Sequence, residues 1–332
     1  MIPRIRMAVV ALSVLALAGL AAGCGGSKSP GGTSSTGPGP ATATAKTSAT
    51  PTATTAASGS GPLPGGTVLL LSLTASNNGI YGLRDGQVSL WYGDNSFVFA
   101  QSAVVSPKGT LIAYIGAGDG DNGPLLVISG TGSSTALGPD TLTNIYLPMW
   151  APDGQSVLAV DGDRWVRIAV PGGTVTPMST PNGYHVSRYS PDLAYLLMAN
   201  ASGSFVARAD GSGATPLMAP AGKKFHRTLS LSPNGYDVIA DVEAPDFPGG
   251  DPARALTANA IVDTRTGAVH TVPGGGDLRS GYYLANGDAI LRVTVGGTDK
   301  VLLVSPTGAV LAQQTVPANA ADYALIGYIP AG

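Results

Sequence analysis

The sequence predicts an all-β fold, a β-propeller of six blades that is closed by a C-terminal strand. Three observations predict it: a turn motif that recurs about every 40 residues, a hairpin pattern that alternates with it, and a spare apolar strand near the C-terminus. Composition agrees, because the chain has 47 glycines, only 11% of its residues are charged, and no helical period of apolar residues stands out.

The recurring turn is a Ser-Pro-Asp or Pro-Asp-Gly motif that is followed at once by an apolar run. Proline presets φ for the first corner of a tight turn, Asp or Asn bonds its own backbone, and Gly accepts positive φ. Each apolar run is therefore expected to be a strand. The copies are Ser106-Pro107-Lys108-Gly109, Ala151-Pro152-Asp153-Gly154, Ser190-Pro191-Asp192-Leu193, Ser232-Pro233-Asn234-Gly235 and the weaker Ala285-Asn286-Gly287-Asp288.

A second unit recurs after the turn motif: a strand, a turn that contains glycine, and another strand. This pattern predicts six hairpins. The first hairpin unit begins near Thr67 and has no recurring turn before it, so its blade lacks an innermost strand. The apolar run at 322–329 has no hairpin after it. We expect this run to become the missing innermost strand, which closes the ring and leaves no exposed sheet edge at the seam. The hairpin turns are expected at Asp85-Gly86, 130–132, Gly172-Gly173, Asp210-Gly211, Thr266-Gly267 and Thr307-Gly308.

Residues 1–23 are predicted to be a lipoprotein signal peptide. Arg4 and Arg6 precede an apolar run that is too short to span a membrane, and small residues follow it. The segment Leu20-Ala21-Ala22-Gly23-Cys24 resembles the bacterial lipobox, although the usual lipobox has leucine where Ala21 stands. The resemblance implies lipidation at Cys24, attachment to the cell membrane through that lipid and an extracytoplasmic location. A secreted protein with an incidental cysteine is the alternative.

Residues 24–64 are predicted to be a flexible tether that begins with the lipidated cysteine. They are mostly Gly, Ser, Thr, Ala and Pro, and such a stretch cannot bury enough apolar surface to fold. Residues 65–332 are then the propeller domain, which contains no disulfide because Cys24 is the only cysteine. A net charge of −2 argues against nucleic acid as a partner.

The Pro-Asp-Gly turn before a short apolar strand, with an apolar hairpin after it, resembles the TolB-type propeller repeat. The resemblance covers nearly all of residues 96–315, with Trp150-Ala151-Pro152-Asp153-Gly154 as the closest copy, while Lys108, Leu193 and Asn286 depart from the pattern. It implies a propeller but says little about function. The family includes periplasmic adaptor proteins, envelope lipoproteins and the non-catalytic propellers of some peptidases and lyases.

Residues 118–123 match Gly-x-Gly-x-x-Gly, but the match is accidental, because a strand rather than a helix is expected after it. Asp119 and Asp121 are spaced like calcium ligands, yet Gly130 stands where the bidentate glutamate is needed. The three histidines are not spaced for zinc. We therefore expect no metal and no cofactor.

A set of polar residues suggests a ligand site at one mouth of the propeller axis. Each lies five residues before a recurring turn, where the innermost strand of a blade is expected to begin. The two arginines among them suit a carboxylate or another anion. The alternative is that strand ends are polar because they meet water. The residues are Gln101, Tyr146, His185, Arg227 and Ser280, with Arg279 beside the last.

A long Pro/Gly-rich excursion at 241–256 is the second candidate, because long loops on a rigid scaffold often carry binding specificity. Asp246, Phe247 and Asp251 are the predicted contacts with a partner, and a loop packed over the ring is the alternative.

Together these features predict a lipid-anchored, non-catalytic binding or adaptor module of the cell envelope. Its expected partner is an envelope protein or a small anionic ligand. The alternative is an envelope hydrolase or lyase that acts on a sugar or peptide at this mouth of the propeller axis. Propeller enzymes can gather their site residues from several blades.

Overall fold

A computed structural model describes residues 65–72, 79–92, 102–116, 122–129, 134–143, 147–247 and 256–331. The predicted signal peptide, Cys24 and the tether lie outside these residues. Within them the regular structure is dominated by 23 β-strands. The described part of the chain contains no helix with the length and apolarity needed to cross a membrane.

The strands, in chain order, are β1 (Thr67–Ser72), β2 (Gly79–Arg84), β3 (Gln87–Tyr92), β4 (Val104–Val105), β5 (Leu111–Ile115), β6 (Asn122–Ser129), β7 (Ser134–Thr143), β8 (Met149–Trp150), β9 (Ser156–Asp161), β10 (Arg164–Ala169), β11 (Val175–Pro177), β12 (His185–Tyr189), β13 (Tyr195–Asn200), β14 (Gly203–Arg208), β15 (Thr215–Pro216), β16 (Lys224–Leu231), β17 (Asp237–Glu243), β18 (Ala260–Asp263), β19 (Asp277–Tyr283), β20 (Ala289–Val295), β21 (Thr298–Val304), β22 (Val310–Thr315) and β23 (Ala324–Ile329).

These strands form five sheets of antiparallel neighbours. Three sheets have four strands, in the orders β23-β1-β2-β3, β12-β13-β14-β15 and β19-β20-β21-β22. A three-stranded sheet, β16-β17-β18, is extended by an isolated bridge between Val262 and Val269. The eight-stranded sheet contains β4–β7 and β8–β11, which are joined where Leu142 and Thr143 at the end of β7 pair with β9. Four-stranded antiparallel meanders of this kind are the blades of β-propellers.

The predicted hairpins are present wherever their turns are described. Each turn connects the third and fourth strands of a blade. Asp85 and Gly86, for example, connect β2 to β3 with positive φ of 51° and 73°, which suits an Asp-Gly pair in a hairpin. The expected turn at 130–132 lies outside the described residues.

The recurring turns have the geometry that their residues predict. The fourth residue donates its backbone N–H to the carbonyl of the first, as Gly109 does to Ser106 at 2.8 Å. The Asp153 carboxylate accepts from the backbone N–H two residues later, at 2.8 Å. Leu193 stands where other copies have glycine, and it adopts the same left-handed backbone with φ of 63°.

The last copy of the turn begins one residue earlier than its sequence suggested. The backbone N–H of Gly287 donates to the carbonyl of Leu284 at 2.9 Å, so Leu284 rather than Ala285 is the first residue of the turn. Counted five residues back from Leu284, the position equivalent to His185 and Arg227 is Arg279. Ser280 is therefore one residue out of register with the other copies. The missing Ser and Pro in this copy hid the offset, because only glycine marked the position.

The C-terminal apolar run pairs with the first strand of the domain. In the antiparallel register of β23 and β1, Ile329 lies opposite Thr67 and Ala324 opposite Leu71. Arg292 of β20 fixes the segment before β23, since its guanidinium donates to the backbone carbonyls of Ala321 and Tyr323. The first sheet is therefore built from both ends of the domain.

Apolar side chains pack between neighbouring sheets, which explains why the strands are continuously apolar rather than alternating. Leu158 and Trp165 of one sheet pack with Tyr189 and Leu196 of the next. The Trp165 ring meets the Tyr189 ring edge-on at 5.5 Å between centroids, and its indole N–H donates to the Val186 carbonyl at 2.7 Å.

Candidate functional site

A cavity of about 280 Å³, which we call the central cavity, lies where the first strands of the blades meet. Residues of β4, β8, β12, β16, β19 and β23 all line it, so each of the five sheets contributes. Pro107, Pro152 and Pro191 of three recurring turns line it as well, which places it toward the turn end of these strands. Its volume is near the lower end of the range for small-ligand sites, roughly 300 Å³.

The lining of the central cavity is mostly aromatic and aliphatic. Trp150, Tyr282 and Tyr328 supply rings, and Met149 and Ile326 supply aliphatic surface. Among the described residues of the lining, Arg188 alone is charged at neutral pH. Such a cavity combines a large apolar surface with a single strong polar anchor, which is the usual composition of a ligand pocket.

Arg188 is 7% exposed and bridges the strands on both sides of its own. Its Nε–H donates to the carbonyl of Leu229 in β16 at 2.9 Å, and its Nη1 donates to the carbonyl of Leu147, just before β8, at 3.2 Å. These bonds use two of the five N–H groups of the guanidinium. None of the ion pairs among the described residues includes Arg188.

The electrostatics of the cavity favour an anion. Burial lowers the pKa of the Arg188 guanidinium, and the nearby Tyr282 hydroxyl opposes that shift. Burial likewise raises the pKa of Tyr282 to about 12, against the effect of the Arg188 charge. At neutral pH the arginine is still charged and the tyrosine is a neutral donor. A buried charge without a counter-ion is costly, so an incoming anion would gain free energy from it.

A β-bulge lies directly before Arg188. Val186 and Arg188 pair with the adjacent residues Met198 and Leu197, so Ser187 is an extra residue in β12. Side chains alternate along a strand, and one extra residue changes which of them face the cavity. β16, β19 and β23 have comparable register shifts.

Arg188 was missed by the sequence reasoning, although a signal exists. It lies two residues before its recurring turn, and the equivalent residues of the other copies also line the cavity. Of these five positions only one has a charged residue. The equivalents are Val104, Met149, Ser230 and, with the turn beginning at Leu284, Tyr282.

The described residues among those predicted to form a ligand-binding mouth do not line the central cavity. His185 begins β12, Arg227 is half-buried in β16 with Asp241 as its cross-strand partner, and Arg279 is the exposed extra residue of the β19 bulge. None of the three lines the cavity. Gln101 and Tyr146 lie outside the described residues, so a ligand-binding ring at this mouth stays a prediction.

The described part of the long loop is held against β16. Phe247 is half-buried and meets the His226 ring edge-on at 5.4 Å between centroids. The Lys224 ammonium donates to the carbonyls of Pro245 and Phe247 at 2.7 and 3.1 Å. Asp246 is exposed, and Asp251 lies outside the described residues. Contact with a partner through this loop stays a prediction.

One group of potential metal ligands was also missed by the sequence reasoning. Ligand atoms of Asp237, Asp263 and His270 lie within 4.8 Å of one another. Each carboxylate already has a partner, because His270 Nε2 lies 2.8 Å from Asp237 and the Arg265 guanidinium lies 3.0 Å from Asp263. Asp119 and Asp121, for which no metal was expected from the sequence, lie outside the described residues.

No family model and no curated protein matches this chain. Among solved structures it is similar to TolB from Acinetobacter baumannii, with 16% identity, a TM-score of 0.45, and coverage of 76% of this chain and 66% of that one. The putative TolB from Agrobacterium tumefaciens shares 12% identity with a TM-score of 0.43, over 80% of this chain and 92% of that one. An oligogalacturonate lyase in complex with manganese shares 12% identity with a TM-score of 0.41, over 70% and 69% of the two chains.

Proposed function

We propose that this protein is a lipid-anchored, extracytoplasmic β-propeller of six blades that acts as a non-catalytic binding module. Its ligand site is the central cavity. The observation that carries this proposal is the buried guanidinium of Arg188, which faces a cavity lined by each of the five sheets and has no carboxylate partner among the described residues. A preformed site of this kind spends little free energy on ordering when a ligand binds.

The sheet pattern supports the six-bladed ring. The eight-stranded sheet divides into two units of four strands, and the three-stranded sheet gains its fourth member through the bridge at Val269. First strands of successive blades lie against each other in the pairs β4–β8, β12–β16, β16–β19, β19–β23 and β23–β4. In the proposed ring β23 is the innermost strand of the first blade.

The binding function is tested by screening the purified full-length protein against a library of small acids, amides, amines and sugars. Thermal stabilisation identifies binders, and a Val104→Phe variant is expected to abolish their effect because the larger side chain fills the cavity. Val310→Phe is the matched control, since Val310 is 41% exposed in the outer strand β22. A library without any binder that depends on Val104 would refute the proposal.

The same experiment separates a binding module from the alternative predicted from the sequence, a hydrolase or lyase. Each binder is incubated with the protein and recovered for mass spectrometry. Recovery of the unchanged compound is expected. Conversion of a binder by the wild-type protein, but not by Val104→Phe, would make the protein an enzyme.

The lipid anchor is tested at Cys24. We expect the wild-type protein to incorporate a palmitate analogue and to sediment with membranes, because acyl chains at one residue hold a protein on a bilayer without spanning it. A Cys24→Ala variant should lose both properties. An unmodified wild-type protein in the soluble fraction would contradict the proposed location.

An adaptor role would use the predicted mouth and loop. We expect a double variant, Arg227→Ala with Arg279→Ala, to lose cross-links to an envelope protein partner that the wild-type protein forms in intact cells. Unchanged cross-links would place the contact elsewhere on the ring.

A further inference from the structure

We infer that the ligand of the central cavity is a small monocarboxylate with an aromatic or aliphatic body, held through its carboxylate by Arg188. This inference rests on the proposed binding function and adds the chemical class of the ligand. It concerns a site that none of the sequence motifs indicated.

The first step concerns charge. Arg188 supplies the one charge in the described lining, and its planar guanidinium keeps N–H groups beyond the two that bond Leu229 and Leu147. A carboxylate matches the forked geometry of these donors. One cation balances one negative charge, so a monoanion leaves no uncompensated charge in the apolar surroundings, whereas a dianion does.

The second step concerns the body of the ligand. Trp150 and Tyr328 line the cavity together with Met149 and Ile326, so most of the remaining surface is apolar. The indole N–H of Trp150 is already used, because it donates to the Val104 carbonyl at 3.1 Å. The Trp150 ring can therefore offer only apolar contact, which suits an aromatic or aliphatic group.

The third step concerns size. A volume of about 280 Å³ corresponds to about nine water molecules at about 30 Å³ each. This space accommodates a single ring or a short chain with its carboxylate, and it is too small to enclose a whole oligosaccharide or a folded peptide. The cavity therefore favours a small organic acid over the sugar and peptide substrates of the enzyme alternative.

A purely structural role for Arg188 makes a different prediction. The two hydrogen bonds to Leu229 and Leu147 brace neighbouring blades, and a neutral donor could supply such bonds without the cost of a buried charge. If bracing were the whole role, replacing Arg188 would change the melting temperature and leave ligand binding alone. The carboxylate site instead requires a loss of binding that depends on ligand charge.

The test uses three probes of nearly one shape: benzoate, benzamide and benzamidine, which are anionic, neutral and cationic at neutral pH. Calorimetric titration of the full-length protein is expected to give a benzoate affinity at least about tenfold above that of benzamide. This factor is what one charge-assisted hydrogen bond from Arg188 to the carboxylate contributes to affinity. Benzamidine should not bind. Arg188→Gln should lose the tenfold preference, and Arg188→Lys, which keeps the charge without the fork, should retain part of it.

Arg208→Gln is the matched control, since Arg208 is exposed in β14 of the same blade, and its titrations should equal those of the wild type. Wild-type selectivity is informative even if Arg188→Gln does not fold. If benzamide or benzamidine binds as tightly as benzoate, and Val104→Phe abolishes that binding, the ligand is not selected as a carboxylate. That result would overturn the inference about the ligand class and leave the proposed binding function standing. Failure of all three probes would overturn the inference, while the library screen with Val104→Phe decides the binding function separately.

Discussion

The role of the C-terminal strand can be tested by one buried leucine. Leu325 of β23 is fully buried and packs with Val68 and Leu70 of β1. Removing a buried leucine side chain costs about 2–5 kcal/mol, because transfer free energy is lost and a cavity remains. For a domain of this size each kcal/mol lowers the melting temperature by about 2–4 °C. Leu325→Ala should therefore melt about 6–12 °C below the wild type if its cost is about 3 kcal/mol.

The matched control is Leu311→Ala, because Leu311 is 56% exposed in the outer strand β22. An exposed substitution of this kind changes stability by no more than about 0.5 kcal/mol. Both variants are compared by thermal and urea denaturation, with unfolding monitored by the circular dichroism of the aromatic side chains. Equal shifts for the two variants would refute the reasoning that β23 belongs to the core of the first blade.

Three further results are expected. Deleting residues 322–332 removes Leu325, Ile326 and Ile329 from the core, and each buried side chain contributes about 1.5–3 kcal/mol to the free energy of unfolding. Their summed loss approaches the whole stability of a typical domain, so the truncated protein should not fold. A cooperative melt would contradict this expectation. Gly276→Ala should destabilise more than Gly275→Ala. Both glycines have positive φ, but only the new Cβ at 276 collides with a backbone oxygen, that of Thr294. Urea denaturation midpoints measure the difference, and equal midpoints would disprove the clash. Burial acts to raise the pKa of Asp299, but hydrogen bonds from Thr294 and Arg292 prevail and lower it. The ionised carboxylate of Asp299 therefore stabilises the folded protein above the unfolded pKa of about 3.9, and this stabilisation is lost as the pH falls through the lower folded pKa. Below about pH 4, the stability of the Asp299→Asn variant should therefore depend less on pH than the stability of the wild type. Identical pH dependence of the two proteins in acid unfolding would contradict this prediction.

Local chemistry explains why the sequence predicted the turns and strands so well. Proline, Asp or Asn, and Gly set the backbone of each recurring turn through bonds within four or five residues, as between Gly109 and Ser106. Leu193 shows how firmly the surroundings hold this geometry, because it keeps the left-handed φ of the glycine that it replaces. The pairing of the C-terminal run with β1 also followed from the sequence, since one blade lacked a strand and one strand lacked a blade.

The candidate site lies at positions two residues before the recurring turns, whereas the predicted mouth was counted five residues back from them. The predicted mouth residues were chosen by counting back from the turns, but bulges at Ser187 and Arg279 break the alternation on which such counting relies. The weak last turn moved the register by one more residue, which exchanged Ser280 for Arg279. Sequence spacing therefore located the innermost strands without fixing which of their side chains face the centre.

The sequence by itself determined the β-strands, the turns between them and the partner of the last strand, because these follow from backbone preferences and from apolar periodicity. Only the tertiary structure decided that Arg188 is buried at the centre, between the carbonyls of Leu147 and Leu229. Those two carbonyls belong to residues 41 positions away on either side in the chain. The surroundings of a charge are set by whatever strands meet there, and that meeting is a property of the assembled sheets.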